Sequence, residues 1–534
     1  MSRTETIHAL ENNYFDLIII GGGITGAGIA LDAVLRGLKV GLVEQSDFAS
    51  GTSSKSTKLI HGGLRYLKQF EFGLVREVGK ERAILHKLAT HLVRPEKMLL
   101  PLTKDGNYGK IIASVGLMVY DVLADVEKAD QRRMLTPEET LDLEPLLTAD
   151  KIEGGGIYSE YQTDDFRLVI ELLKAAEKEG ATILNYASCT GFLKKGGKIA
   201  GLTVMDEIES KEFSIYSDYV INAAGPWSDL VRKFQEEVSG KKLHLTKGVH
   251  LVVPFEKMPI KQSIYFDVPD GRMMFAIPRN NVTYIGTTDT TYKQNLKDIK
   301  TNLDDVHYLI DAVNHYFPNL TLKPEDVVSS WVGVRPLIEE EGKSASEISR
   351  KDEIFISDQG LITIAGGKLT GYRKMAKRAM ETLLEIRADK TGKSIPKCKT
   401  KKYKLPGNSF KSQKEVETYK EELSQKYPDI AVREIAYMVD LYGNQSEEIL
   451  KATTSGTSLM ESEISFCIEK EWVQHLSDFY IQRNGRLFFD IEGVRSSLEA
   501  VASTMQQKLG WTDSQRQQEV VDLNEKIKDA TIFT

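Results

Sequence analysis

From residue 15 to residue 44 the chain reads FDLIIIGGGITGAGIALDAVLRGLKVGLVE. Residues 17–20 form a short, largely β-branched run, the pattern of a strand buried on both faces. An apolar helical stretch follows the glycines as far as Gly37, and residues 38–43 make a second strand that ends on Glu44. Leu74, Val78, Ile84, Leu85 and Leu88 then recur broadly at helical spacing, and Ile111, Val115, Met118 and Val122 share one helical face. Core packing is favoured for that second helix over a membrane interface, since Asp121 and Asp125 disfavour anionic headgroups. Residues 154–169, GGGIYSEYQTDDFRLV, predict a glycine-rich strand and a helix start near Thr163 and Asp164.

Strands are expected at 182–186 and 199–205, and 219–228 read as a buried strand followed by Ala-Ala-Gly-Pro. Residues 246–254 and 273–289 read as strands of an antiparallel sheet, with Asn280 and Asn281 at a hairpin turn. Residues 361–373, LITIAGGKLTGYR, predict a strand, a double glycine and a helix beginning near Leu369. At 397–404 the text turns basic, KCKTKKYK, and the next turn residues mark a linker. The remainder is helical, polar and rich in Glu, Lys and Gln.

Gly21, Gly23 and Gly26 fit G-x-G-x-x-G between the first strand and its helix. The first allows the tight turn, the second lets backbone approach a pyrophosphate, and the third lets the helix pack close to the strand. The helix N-terminus offers amides and the positive end of its dipole to phosphate. Glu44 stands where a carboxylate accepts hydrogen bonds from an adenosine ribose and repels a 2′-phosphate. Strand, glycines, helix, second strand and acid in this order predict a dinucleotide site in a Rossmann-like fold. FAD and NAD are both open at this point.

At 534 residues the chain is too long for one core, and two or three domains are expected. Its net charge of −7 argues against general nucleic-acid affinity. Cys189, Cys398 and Cys467 have no C-x-x-C or metal-ligand spacing and read as reduced thiols. MSRTETIHALENNY has no apolar core of a signal peptide, and no apolar run approaches the ~20 residues that span a bilayer. A cytoplasmic protein, or one attached to the membrane from that side, is expected.

Directly after Glu44 comes FASGTSSKSTKLIHGGLRYL, with His61 and Arg65 on either side of a glycine pair. On its own it reads as a solvated loop; placed after the ribose acid, it also fits a segment running along the cofactor toward the reactive ring. The Ala-Ala-Gly-Pro turn and the helix beside Gly366 and Gly367 suit the same cofactor.

IIIGGGITGAGIALDAVLRGLKV, GTSSKSTKLIHGGLRYL, NAAGPWSD, TKGVHLVVP, IGTTDT, WVGVRPL, EISRKDE and AGGKLTGYRKMA occur in this order. Together they resemble the FAD-dependent respiratory glycerol-3-phosphate dehydrogenases, from about residue 14 to the end of the chain. The resemblance implies an α/β fold: a Rossmann-like FAD-binding domain of the glutathione-reductase and D-amino-acid-oxidase type, an inserted antiparallel substrate domain and a C-terminal all-α domain. The expected division is 14–90, 150–235 and 331–396 for FAD, 91–149 and 236–330 for substrate, 397–408 as linker and 409–534 as the helical domain. The implied activity is oxidation of sn-glycerol 3-phosphate to dihydroxyacetone phosphate by hydride transfer from C2 to FAD N5. Electrons then pass to a membrane quinone. The family also implies peripheral contact with the inner face of the membrane and a homodimer.

On these motifs, non-covalent FAD is expected to contact Gly21, Gly23, Gly26 and Glu44. Thr52, Ser53 and Ser54 would lie along the isoalloxazine side. Ala224, Gly225 and Trp227 add to this, as do Gly366, Gly367, Lys368, Leu369 and Thr370. Arg65, Arg335 and Arg350 match arginines around the family's substrate, with Tyr66 adjacent, and arginine forks suit a phosphate dianion. Lys368 would hold negative charge on reduced flavin or orient a substrate oxygen. His61 and His250 are the alternative bases for the C2 hydroxyl, and Arg335 also suits a developing alkoxide. No metal is required.

Two other readings compete. An oxidase of the same type would deliver the electrons to oxygen, but some of that branch carry a long insertion that this chain lacks. A flavin-binding redox sensor without turnover would leave the arginines and Lys368 without a purpose.

Overall fold

The computed structural model describes the chain except for residues 63–71, 105–131, 236–240, 340–350, 393, 395 and 454–455. The helix expected at 111–122 lies outside the described residues.

The strand Tyr14–Ile20 sits between Lys211–Asn222 and Val40–Val43, and all three are parallel. Leu361–Gly366 and Thr182–Leu184 extend this parallel run on its two sides. Because neighbours cover both faces, every residue of Val40–Val43 is buried, which is why the strand reads as a continuous apolar run. Lys198–Asp206 and Ala187–Lys195 continue from the early part of Lys211–Asn222 as an antiparallel extension. The helices Ile24–Leu35, Asp165–Lys178 and Tyr372–Thr391 share one core with this sheet. The close approach of Ile24–Leu35 to Tyr372–Thr391 depends on Gly28, where a Cβ would come within 2.9 Å of the Tyr372 ring.

A second, mixed sheet carries Leu243–Pro254 one strand in from its edge, paired antiparallel with Val282–Gly286 and Ser329–Ile338. Met273–Arg279 and Val282–Gly286 form the hairpin, and Asn280 turns it with a positive φ of 54°. Ile152–Gln162 and Ser329–Ile338 pair into this second sheet, although both fall largely in stretches assigned above to the FAD domain. Pairing partners far apart in sequence decide which sheet such a strand joins, and apolar pattern does not reveal them.

Helices from Gln413–Lys426 to Asp513–Thr531 form the C-terminal part. Its largest core is shared with the second sheet, including Tyr284 and Trp331. A buried ion network ties it to the first sheet's layer: Arg167 forks onto Glu471 at 2.5 and 2.8 Å, and Lys174 joins Glu471 at 2.8 Å. The expected linker is packed against the helix Phe72–Leu88, with Leu405 N donating to Leu88 O at 3.1 Å and Asn408 Nδ2 to Lys87 O at 3.1 Å. Among the described residues no helix is long and apolar enough to cross a membrane.

Candidate active site

A cavity of about 1310 Å³ runs between the two sheets and reaches the C-terminal helices. Its first end is the glycine turn. Gly21 has φ +110°, and a Cβ there would fall 2.6 Å from Ala223 O. Gly26 lies under the turn, where a Cβ would come 1.9 Å from Gly21 O, so it packs helix against strand and does not line the cavity. Gly23 caps the helix Ile24–Leu35 without a side-chain bond, which leaves the helix N-terminus facing the cavity. Ser53 Oγ accepts from Ile24 N at 3.0 Å beside it.

Glu44 closes this end. Its carboxylate accepts from Gly22 N at 2.7 Å and Ser46 N at 3.0 Å. Burial raises its pKa to about 7, more than those two amides lower it. A helix N-terminus, glycines that exclude any Cβ, and a strand-end carboxylate match what a dinucleotide needs, so the residues present fit FAD.

Thr52, Ala224, Gly225 and Trp227 line the middle of the cavity. Thr52 Oγ1 donates to Val334 O at 2.6 Å, which pins the loop to the second sheet. Ser54 is a correction: it is fully buried, is absent from the cavity wall, and its carbonyl accepts from Lys58 Nζ at 2.7 Å. The 3-10 turn Thr52–Ser54 rotates its third side chain into the protein, and a string of hydroxyl residues does not disclose that rotation. Gly366, Gly367, Lys368, Leu369 and Thr370 line the wall at the start of the helix Tyr372–Thr391. Gly366 and Gly367 have φ of +79° and +82°, and a Cβ on Gly366 would fall 2.6 Å from Lys351 O.

The second sheet supplies the other wall. His250 and Arg335 stand on adjacent strands, with His250 opposite Trp331 and Arg335 opposite Thr246. The imidazole is buried and stacks on Trp331, and Thr57 Oγ1 is 2.9 Å from its Nε2. Burial first, then the Arg335 and Lys58 charges, hold its pKa well below the ordinary histidine value, so the ring is neutral at pH 7. The Arg335 guanidinium lies over Gly248, where a Cβ would come 2.4 Å from Nη2. It donates to Thr287 Oγ1 at 3.0 Å, Thr288 O at 3.2 Å and Asp289 Oδ1 at 3.1 Å. His61 lines the cavity from the end of the strand Leu59–Ile60, its ring edge-on to Phe275 and its carbonyl accepting from Thr370 Oγ1 at 3.2 Å. The cavity therefore brings His61, His250, Arg335 and Lys368 together. Arg65, Tyr66 and Arg350 lie outside the described residues.

Sequence reasoning missed three contributors. Thr57 positions His250, and Asp289 holds Arg335. Lys55 lines the cavity with its Nζ 4.5 Å from the centre of the Phe488 ring. Burial, with the Lys58 and Lys526 charges, lowers its pKa to about 7. All three sit within motifs already singled out. Phe488 belongs to the C-terminal helices.

The family described as FAD dependent oxidoreductase matches residues 16–373, and the C-terminal domain of alpha-glycerophosphate oxidase matches residues 398–516. An aerobic glycerol-3-phosphate dehydrogenase of Bacillus subtilis strain 168 is 45% identical over 100% of this chain and 98% of its own length. One from Staphylococcus aureus strain USA300 is 44% identical over 98% of this chain and 96% of its own. The solved glycerol-3-phosphate dehydrogenase of Bacillus halodurans complexed with FAD superimposes with a TM-score of 0.85 at 38% identity, covering 100% of this chain and 98% of that one. The L-alpha-glycerophosphate oxidase of Mycoplasma pneumoniae shares the fold at a TM-score of 0.57 and 19% identity, over 74% of this chain and 99% of that one.

Proposed function

Because the chain belongs to the family of FAD-dependent glycerol-3-phosphate dehydrogenases, we propose that it oxidises sn-glycerol 3-phosphate to dihydroxyacetone phosphate with bound FAD. The observation that carries this reading is one cavity in which a dinucleotide cradle leads to a neutral buried imidazole beside a guanidinium.

FAD, when bound, supplies a two-electron acceptor able to take a hydride from C2. Gly21, Gly23 and the helix N-terminus would hold its diphosphate, and Glu44 its adenosine ribose. The turn at Ala224–Trp227 and the residues from Gly366 to Thr370, which line the same cavity, would flank the rest. His250 is neutral and takes the C2 hydroxyl proton; its stacking on Trp331 and its contact with Thr57 keep the ring oriented. His61, on the strand end beside Thr370, is the alternative base. Arg335, held at Thr287 and Asp289, meets the substrate phosphate or the developing alkoxide. Lys368, on the cavity wall, would supply positive charge to a reduced flavin ring.

The acceptor in this reading is a membrane quinone, reached from the cytoplasmic face by a peripheral homodimer. The absence of the long insertion seen in some oxidases supports quinone over oxygen. Anaerobic mixing of the flavoprotein with glycerol 3-phosphate should bleach the flavin, and a quinone analogue should restore its colour faster than oxygen does. No bleaching refutes the substrate. Rapid reoxidation by oxygen with peroxide formed makes the protein an oxidase.

A further inference from the structure

The C-terminal helical part grips the segment that carries the dinucleotide turn. Gly22, between the two phosphate-facing glycines, is held on three sides. Its N–H donates to Glu44 at 2.7 Å, its carbonyl accepts from Ala49 N at 3.1 Å, and the Phe48 ring fills the space where a Cβ would stand, 2.5 Å from Cδ1. Phe48 is fully buried, and Trp472 packs edge-on against it at 5.3 Å and 84°. Next to it, Asp47 receives both arms of Arg483, at 2.7 and 2.9 Å. The same guanidinium donates to the Glu471 carbonyl from Nε at 2.9 Å and Nη2 at 2.6 Å.

Asn185 completes the junction, giving Nδ2 to Asp47 at 3.1 Å and to the Trp472 carbonyl at 2.9 Å. Tyr186 donates its hydroxyl to Asp478 at 2.5 Å, and its amide bonds to Ser46 O at 2.9 Å. Asp47, Tyr186 and Asp478 also line the cavity. An uninterrupted chain of contacts thus runs from residues 471–483 through Asp47 and Phe48 to Gly22 and Glu44.

We propose that Trp472 and Arg483 are positioning residues for the dinucleotide, and that the C-terminal helices hold FAD by keeping the Gly22–Glu44 cradle in its binding shape. This rests on the FAD reading given above. Retention of the cofactor and docking of the helices are then linked, each favouring the other. Trp472 suits a test because the Arg167–Glu471 fork still anchors the C-terminal part when its ring is removed.

The experiment follows FAD leaving the diluted holoenzyme, read as the rise of free-flavin fluorescence. Trp472→Ala is expected to release FAD about tenfold faster or more, a change of roughly 1.4 kcal/mol. Trp472→Phe, which restores a ring edge, should return to within about threefold of the parent. Arg483→Lys keeps the charge without the fork and should fall between them. With excess FAD restored, KM for glycerol 3-phosphate should stay within about twofold in all three. The proposal is overturned if Trp472→Ala and Arg483→Lys release FAD at the parent rate. It is overturned equally if neither folds, or if Trp472→Phe loses FAD as fast as Trp472→Ala, since the contact would then serve the fold alone. A parent protein that purifies without flavin would instead refute the FAD reading.

Discussion

The His250 imidazole lies flat on Trp331, with ring centroids 4.7 Å apart and planes differing by 11°. The two residues face each other across paired antiparallel strands, and on the neighbouring strand Gly286 faces His250. A methyl group at 286 would come 2.2 Å from His250 Cδ2. Gly286→Ala should therefore turn the imidazole off its stack and slow flavin reduction by roughly tenfold to a hundredfold, because small misplacement of a reacting group is costly. Anaerobic stopped-flow with glycerol 3-phosphate measures this; an unchanged rate would remove His250 from the chemistry.

Arg335→Ala should lower kcat/KM by about a hundredfold to a thousandfold, with both constants affected, since holding the phosphate also aims C2. Arg335→Lys should recover little, because one ammonium cannot satisfy Thr287, Thr288 and Asp289 while also meeting substrate. Steady-state kinetics with a quinone analogue separate the two constants.

Glu44 predicts opposite pH slopes for cofactor binding and apoprotein stability. Its pKa in the folded apoprotein is about 7, raised from 4.5 chiefly by burial. A proton is therefore bound more tightly in the folded than in the unfolded chain. The stability it contributes is fully present below the unfolded value and lost as pH rises toward 7. The ribose hydroxyls need the carboxylate as acceptor, so FAD affinity should rise as pH climbs through 7. Titrating apoprotein with FAD between pH 6 and 8 should show this slope, and Glu44→Gln should flatten it while weakening binding.

Arg167→Met leaves Glu471 in a buried site without its fork. Breaking such a pair from one side costs about 3–5 kcal/mol, so the urea midpoint should drop markedly. Lys174 stays at 2.8 Å from Glu471 and should keep the loss toward the lower figure. A midpoint within experimental error of the parent would show that the network does not hold the C-terminal helices.

Much of the cofactor end was legible because its determinants are local. Gly21, Gly23, Gly26 and Glu44 lie within one strand–helix–strand unit, and each answers a backbone or hydrogen-bonding need that spacing alone expresses. Gly366, Gly367, Ala224 and Gly225 were legible as cavity wall for the same reason, as small residues between a strand and a helix. Ser54 misled, because three hydroxyl residues in a row look alike while a 3-10 turn sends them in different directions.

The sequence by itself determined the dinucleotide unit, the order of strands and helices, and the residue types that bear charge and protons. Their physical causes act over a few residues: apolar periodicity, φ freedom at glycine, and helix ends that need partners. Only the tertiary structure decided that Ile152–Gln162 and Ser329–Ile338 join the second sheet, that Thr57 and Trp331 orient His250, and that Trp472 and Arg483 reach Phe48 and Asp47. Such contacts join residues up to 436 positions apart, as Asp47 and Arg483 are. Neither partner carries a mark of the other until burial forces an aspartate and an arginine to satisfy one another.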